Sequence, residues 1–573
     1  MSVLQKLCPL RANGPRVPGF HATRSPDPQA RAPWQVNAVL ACWLAGPGNL
    51  PLWQTLAALG EGTAHALLMA RMAIVIAATL FSLLSLLSWT RAYRVLASAL
   101  VVVAAFNSHF MGAYGVVIDT SMMANALATD AREVRELLTP RLAMMVLFIA
   151  GPALWWIWRQ PLRQHTLLQG LIRQAGAAAA GLLLVLTVAL SGYQGLASLM
   201  RNHKTVRYMI NPVNSLYAAG SLAAQQLPHT ARALQPVGED ARLGASHEGQ
   251  ARPPLLVLVL GETARAQSFG LDGYGRATTP ELATWQRARG LVNFPDVTAC
   301  GTSTEVSVPC IFSPLTREQG GNRKPQHENL LDVLQRAGLA VLWLDNQSGC
   351  KGVCARVPTV STRQLGDERW CREGECHDEI MLEGLDQRLA ALDPQRRDRG
   401  VVLVMHQMGS HGPAYFKRTP ADAKPFGPEC LSQMLSDCRV EDVRNAYDNT
   451  IAYTDRFLGR TLAWLDARSG QYDTGMIYLS DHGESLGENG LYLHGLPYAV
   501  APAQQLKVPM VAWLSRGLQQ RTGVDTRCLQ GSASQPVSHD HLFHSVLGLM
   551  DVHTQIHERS LDVFSRCSPG GML

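Results

Sequence analysis

Two kinds of apolar periodicity divide the chain. Over roughly residues 34–200 apolar positions run almost unbroken, with candidate spans at 34–54, 68–90, 94–117, 141–158 and 176–198. Crossing roughly 30 Å of hydrocarbon takes about 20 apolar residues, so five transmembrane helices are expected, the first interrupted by the stretch GPGNLP at 46–51. The stretch 201–226 begins basic and turns amphipathic, which suits an element lying on the membrane surface. Residues 227–253 read as a polar linker containing Pro, Gly and Ala. From 254 onward short apolar runs start at 255, 341, 401, 476 and 508, with helical stretches at 328–338, 378–393 and 440–468 between them. Continuous apolar runs of this length fit parallel strands buried on both faces. The expectation is a five-helix transmembrane domain over 34–200, an interfacial helix and linker over 201–253, and an α/β/α sandwich over 254–573. In such sheets the polar residues just past the strand ends form the site.

Composition sharpens this division. The 573 residues are 47% hydrophobic and 17% charged, apolar for a soluble protein. A net charge of +6 is modest, and no basic stripe with interleaved aromatics appears, so nucleic acid is not an expected partner. Residues 1–33 carry Lys6, Arg11, Arg16, Arg24 and Arg31 against the single acid Asp27. They read as a disordered cytoplasmic tail, not a cleaved signal peptide, because the apolar run comes late. Arg91 and Arg94 flank the second turn and Arg159, Arg163 and Arg173 fill the fourth loop, whereas the first loop carries only Glu61. The positive-inside rule then puts the N-terminus in the cytoplasm and everything beyond residue 200 outside. Ten of the 12 cysteines lie in that outer part: Cys300, Cys310, Cys350, Cys354, Cys371, Cys376, Cys430, Cys438, Cys528 and Cys567. An even number with irregular gaps and no CxxC knuckle points to disulfides in an oxidising compartment.

The strand ends deliver the chemistry. They read GETARAQ (261–267), HQMGSHG (406–412) and SDHGESLGENGLYLHG (480–495), which supply Glu262, His406, His411, Asp481, His482 and His494. One such residue is usually a cap or a satisfied polar group; several strand ends aimed at one sheet edge suggest a metal site. Oxygen and imidazole donors without thiolate match an open, catalytic zinc centre. The loop CGTSTEVSVPC (300–310) adds hydroxyls inside a short cysteine-closed loop. A threonine hydroxyl is a weak nucleophile until a divalent cation lowers its pKa, and that charge neutralisation suits attack on phosphorus.

GETARA, CGTST…SVPC, GSHGP, YDNTIAYTD, SDHGESLGE, LHGLP and SHDHLFHSVLG together resemble the phosphoethanolamine transferases that modify lipid A, of the alkaline phosphatase-like superfamily. The resemblance runs from about residue 34 to the end. It implies an inner-membrane enzyme with its catalytic domain in the periplasm, and zinc held by Glu262, Thr304, Asp481 and His482, with a second zinc as an option. Thr304 becomes the nucleophile, His411 and His494 assist the reaction, and His406 and Lys351 touch substrate. In DTSMMANALATDAREV (119–134), Asn125, Thr129 and Glu133 would contact the headgroup from one helical face. The implied disulfides are Cys300–Cys310, Cys350–Cys354, Cys371–Cys376, Cys430–Cys438 and Cys528–Cys567. The implied partners are phosphatidylethanolamine as donor and lipid A as acceptor, with a monomer expected. Core heptose, Kdo, a periplasmic glucan, a pilus protein or a phosphoglycerol donor would use the same site motifs. A sulfatase is disfavoured by the missing CxPxR-type motif. Two features depart from the family: the Pro/Arg-rich front, and Glu305, where a small residue often follows the nucleophile.

Overall fold

The first apolar run does not form one helix. In a computed structural model, which describes residues 30–568 apart from 89, 91, 130, 164–165, 227–233, 321–326 and 373–374, it forms α1 (Pro33–Ala45) and α2 (Leu50–Ala58) with a tight turn over Pro47–Asn49 between them. Pro47 and Pro51 lack backbone N–H groups, so a continuous ladder cannot run through this stretch. Most of the expected 1–33 tail, and Arg91 of the second turn, lie outside the described residues.

Broken backbone inside a membrane domain needs internal partners, because lipid offers none. Two asparagines supply them. Asn49 donates from Nδ2 to the Leu44 carbonyl at 2.8 Å and the Asn211 carbonyl at 2.6 Å. Its Oδ1 accepts from the Asn211 N–H at 2.8 Å. Asn211 in turn donates to the carbonyls of Gly48 (2.9 Å) and Ala104 (2.7 Å), and accepts from Asn107 Nδ2 at 3.1 Å. Both asparagines are 1% exposed. The segment expected to lie on the membrane surface therefore has Asn211 buried among the helices; around it stand α9 (Tyr193–Asn202), α10 (Lys204–Tyr208) and α11 (Val213–Gln226).

Among the described residues four helices are long and apolar enough to cross a membrane: α3 (Thr63–Leu87), α4 (Tyr93–Tyr114), α7 (Pro140–Arg159) and α8 (Leu167–Ser191). Between α4 and α7 lie the short helices α5 (Thr120–Ala128) and α6 (Ala131–Leu137). One end of the bundle gathers Arg31, Arg94, Arg159 and Arg163. The backbones of Arg31 and Arg163 pair, and Arg94 Nη2 donates to the Gln160 carbonyl at 2.9 Å. Arg31, Arg94 and Arg159 lie over Trp156, Trp158 and Trp155 at 5.0, 5.8 and 5.6 Å, an arginine and aromatic belt suited to a bilayer boundary. The opposite end meets the catalytic domain, where the Cys430–Cys438 loop touches Tyr114, Thr139 and Arg141.

The catalytic domain is built on eight strands: β1 (Pro254–Gly261), β2 (Val292–Thr298), β3 (Ala340–Asp345), β4 (Thr359–Ser361), β5 (Val401–His406), β6 (Asp473–Ser480), β7 (Lys507–Leu514) and β8 (Val537–Ser538). They stand in the order β8-β2-β7-β6-β1-β5-β3-β4. The helix Val440–Asp466 covers one face; Leu330–Ala337 and Asp540–Leu549 cover the other. β7, expected to be parallel, runs antiparallel to both neighbours. Burial on both faces makes a strand apolar in either direction, so its composition could not reveal this. The expected helix over 378–393 resolves into a turn at Asp378–Leu382 and a helix at Leu385–Ala390.

Asn211→Leu should destabilise the detergent-solubilised protein by about 1–3 kcal/mol for each buried group it strands. Thermal unfolding would read this, and an unchanged midpoint would mean that the break at 46–49 is satisfied without Asn211.

Candidate metal centre and nucleophile

β1 and β6 are adjacent and parallel, in a register pairing Gly261 with Ser480. The residues after them, Glu262 on one strand and Asp481 and His482 on the other, therefore emerge side by side. Gly409 seals the back of Glu262: at φ +54° a Cβ there would lie 2.6 Å from the Glu262 carbonyl oxygen, so only glycine fits. Thr304 starts the helix Thr304–Ile311, whose last turn the Cys300–Cys310 disulfide ties to the loop before it. The remaining described disulfides join Cys350–Cys354, Cys371–Cys376, Cys430–Cys438 and Cys528–Cys567; Cys42 is free.

One ligand atom from each of Glu262, Asp481 and His482 lies within 4.8 Å of the others, all fully buried. His482 Nε2 stands 3.4 Å from both Glu262 Oε1 and Asp481 Oδ2. Thr304 Oγ1 lies 3.1 Å from each Glu262 oxygen and 3.5 Å from His482 Nε2. Asp481 Oδ1 accepts from the N–H groups of Thr263 (3.0 Å) and His482 (2.7 Å), while its buried Oδ2 has no hydrogen-bond partner among the described residues. His482 Nδ1 faces the Gly483 carbonyl at 2.9 Å, which leaves Nε2 for a ligand. Burial and the Glu262 charge push the Asp481 carboxyl up to about 7. Burial alone would lower His482, but the Asp481 and Glu262 charges raise it to about 10. Two carboxylates crowded into a dry site thus recruit a proton onto the imidazole, and a divalent cation would take over that compensation. The orphaned Asp481 oxygen and the imidazole and hydroxyl beside it fit such an ion.

The flanking histidines converge on the same edge. The His494 ring centroid is 4.3 Å from that of His482 and 5.9 Å from that of His411. His494 Nδ1 stands 2.8 Å from Glu484 Oε2, and Tyr415 Oη donates to the other Glu484 oxygen. Burial pushes Glu484 up to about 8. His406 sits deeper, fully buried, with Nδ1 3.2 Å from Asp345 Oδ1. Asp378 accepts from the N–H groups of Met408 (2.7 Å) and Gly409 (3.0 Å) and so fixes the loop leading to His411.

Residues expected on the substrate side stand apart from the candidate metal ligands Glu262, Asp481 and His482. A cavity of about 1030 Å³ lies between α5, α11 and the outer face of the Thr304 helix; Lys351, Glu305, Val306 and Asp119 line it. Lys351 Nζ also reaches Ser348 Oγ at 3.3 Å. The single helical face expected for Asn125, Thr129 and Glu133 does not form, because α5 ends at Ala128. Thr129 takes an extended conformation, its hydroxyl donating to the Asn125 carbonyl at 2.8 Å. Glu133 belongs to α6, and its side chain lies outside the described residues. α5 nevertheless packs on the Thr304 helix, and Met122 closes against Gly495 beside His494.

Sequence reasoning missed Glu484, Asp378 and a clamp on the Cys300 peptide. The Cys300 N–H donates to His539 Nδ1 at 3.2 Å, so the ring proton sits on Nε2 and is donated to the Ser480 carbonyl at 3.0 Å. The neutral ring thus ties the loop leading to Thr304 to the strand end that carries Asp481. Arg317 Nε donates to the Cys300 carbonyl at 3.1 Å, and its guanidinium lies 3.4 Å from the Tyr498 ring centroid. The motif SHDH at 538–541 was visible in the sequence, but its partner is 239 residues away.

A mixed sheet with helices on both faces, a buried acid and imidazole cluster at the strand ends and a facing hydroxyl defines a hydrolase-like domain of the alkaline phosphatase and sulfatase type. Residues 254–552 match the sulfatase family model, and residues 76–227 match that of phosphoethanolamine transferases EptA/EptB. The chain is 39% identical to phosphoethanolamine transferase EptA of Escherichia coli K12, over 84% of this chain and 87% of that one. It is 36% identical to phosphatidylethanolamine transferase Mcr-1 of Escherichia coli, over 79% and 82%. The integral membrane lipooligosaccharide phosphoethanolamine transferase EptA of Neisseria meningitidis superposes with a TM-score of 0.87 at 34% identity, covering 94% of this chain and all of that one. The chain belongs to the phosphoethanolamine transferase family.

Burial pushes the His539 imidazole down to about 3. Below about pH 6.5 the unfolded chain takes up a proton that the folded chain refuses, so acidification costs this site ~1.4 kcal/mol of stability per pH unit. His539→Gln should flatten the fall in unfolding midpoint between about pH 6 and pH 4. An unaltered slope would mean that His539 is protonated in the folded protein.

Proposed function

We propose that this inner-membrane enzyme, with its catalytic domain in the periplasm, transfers phosphoethanolamine from phosphatidylethanolamine to a phosphate of lipid A. The observation that carries the reading is Thr304 Oγ1 poised over the buried Glu262, Asp481 and His482 group. The cavity between α5, α11 and the Thr304 helix supports lipid substrates, since it opens where the catalytic domain meets the membrane helices. The reading includes five membrane passes, with α1 and α2 together making the first, and the domain boundaries at 33, 200 and 253 read from the sequence. It also takes the protein to act as a monomer.

The donor set, one imidazole with carboxylate and hydroxyl oxygens, favours zinc held by Glu262, Thr304, Asp481 and His482. Bound there, zinc would lower the cost of deprotonating the threonine and neutralise charge on phosphoryl oxygens. Thr304 Oγ1 attacks the phosphorus; its bond to phosphorus forms as the bond to the glycerol oxygen breaks. His494, its Nδ1 held by Glu484, takes the Thr304 proton on Nε2 and passes it to that oxygen, and diacylglycerol leaves. In the second half, a lipid A phosphate hydroxyl attacks the same phosphorus, its proton passing through His494 to the Thr304 oxygen as the threonine leaves, a ping-pong sequence. His411 stands beside His494 to assist this exchange, while Lys351, Asn125, Thr129 and Glu133 would serve the headgroups. His406, held by Asp345, supports the pocket wall. Each transfer adds an ammonium group, so lipid A binds cationic polymyxins less well.

Lipid A from a polymyxin-sensitive Gram-negative host expressing the chain should show a phosphoethanolamine mass increment that Thr304→Ala abolishes. An unmodified lipid A from well-expressed, zinc-loaded protein would refute lipid A as the acceptor. In purified enzyme, chelation should abolish transfer and added Zn²⁺ restore it, with metal analysis finding one ion retained. His494→Ala should lower turnover by on the order of 10²–10⁴-fold with zinc content unchanged, as expected for loss of a proton donor. A matching loss of zinc would instead make His494 a ligand.

A further inference from the structure

A second cleft lies on the membrane domain, away from Thr304. It has a volume of about 220 Å³ and lies between α4 and α7, lined by His109, Arg141, Met144, Met145 and Phe148. The four α7 residues follow i, i+3, i+4, i+7 spacing, so they form one stripe. Arg141 occupies the first turn of α7, at the end that meets the catalytic domain, where its guanidinium reaches Asp437 at 2.7 Å yet stays half-exposed. From there the stripe descends about 10 Å along the helix axis to Phe148, against a leaflet of roughly 15 Å of hydrocarbon. Met144 and Phe148 are largely exposed. On a membrane-spanning helix, that exposure is to acyl chains.

His109 makes this more than a lipid-facing groove. It is 2% exposed, and its Nε2 has no hydrogen-bond partner among the described residues. A polar nitrogen left unpartnered within a membrane helix is costly, and ionisable side chains at such depth mark binding sites more often than packing. The combination is a cation at the water-side rim, an imidazole beneath it, and an apolar track running toward the bilayer centre. We propose that this cleft binds one glycerophospholipid of the outer leaflet of the inner membrane. Its phosphodiester and ester oxygens meet Arg141 and His109, and an acyl chain lies along Met144, Met145 and Phe148. The site joins the membrane helices to the catalytic domain, because Arg141 also holds Asp437 of the Cys430–Cys438 loop.

Photo-crosslinking of the full-length protein in lipid nanodiscs would test this, with mapping of the labelled residues by mass spectrometry. The probes are a phosphatidylethanolamine and a diacylglycerol carrying the same photoactivatable acyl chain. The exposed face of α8 (Leu182, Leu183, Leu186, Leu190) provides the reference for unspecific lipid contact. The phospholipid should label residues 144–148 well above α8, and the diacylglycerol should label both alike. His109→Leu, which removes the buried nitrogen, and Met144→Trp, which fills the cleft from its exposed rim, should each lower α7 labelling by on the order of tenfold. Labelling of α8 should stay unchanged and so report an intact fold. Equal labelling of α7 and α8 by the phospholipid, or equal labelling of α7 by both probes, would overturn the proposal. So would unchanged α7 labelling in Met144→Trp. Headgroup transfer activity is a separate readout, so failure here leaves the transferase reading untouched.

Discussion

Two carboxylates share one dry pocket, and most of the catalytic domain serves to keep them there. Glu262 and Asp481 are both fully buried, with a single imidazole between them. In a low-dielectric interior like charges repel strongly, and one of the pair would normally take up a proton or swing out. Neither side chain has room to leave. Glu262 is backed by Gly409, whose loop is pinned by Asp378. Asp481 is gripped by the N–H groups of Thr263 and His482. Placing each acid directly after a central strand is what makes this rigidity available, since β1 and β6 pair along their whole length.

The same rule, that polar groups away from water must find fixed partners, organises the membrane half. Asn49 and Asn211 satisfy the helix break between α1 and α2, as backbone N–H groups satisfy one oxygen of Asp481. His539 does so at the nucleophile loop, where a neutral imidazole both accepts from and donates to main chain. These contacts are single, directional and buried. They position a residue more sharply than apolar packing does, and losing one partner strands the other.

Much of this was legible in the sequence, for physical reasons that also explain the misses. Buried central strands announce themselves as apolar runs, and a carboxylate or histidine directly after such a run is conspicuous; Glu262, Asp481 and His482 stood out in that way. Strand direction left no such trace, so β7 was read as parallel. The Gly-Pro break at 46–48 was plain, but Asn211, which mends it, is 162 residues away. Glu484 lies in SDHGESLGE, but its contacts come from Tyr415 and His494 on other loops, which no linear motif reveals. The spacing of an ideal helix puts Asn125, Thr129 and Glu133 on one face. That spacing fails where Thr129 turns its hydroxyl back to the Asn125 carbonyl and lets the helix end.

Glu305 shows what the helix geometry resolves that a linear reading could not. In the sequence it stands beside Thr304, an acid next to the candidate nucleophile. Consecutive residues of a helix point about 100° apart, and here that rotation separates two environments. Thr304 turns inward to Glu262 and His482, whereas Glu305 turns outward with Val306 and Pro309 to line the large cavity beside α5. One turn of helix therefore separates the buried acid and imidazole group from that cavity. The Glu305 charge lies on the cavity side of this turn, while the threonine oxygen faces Glu262 and His482.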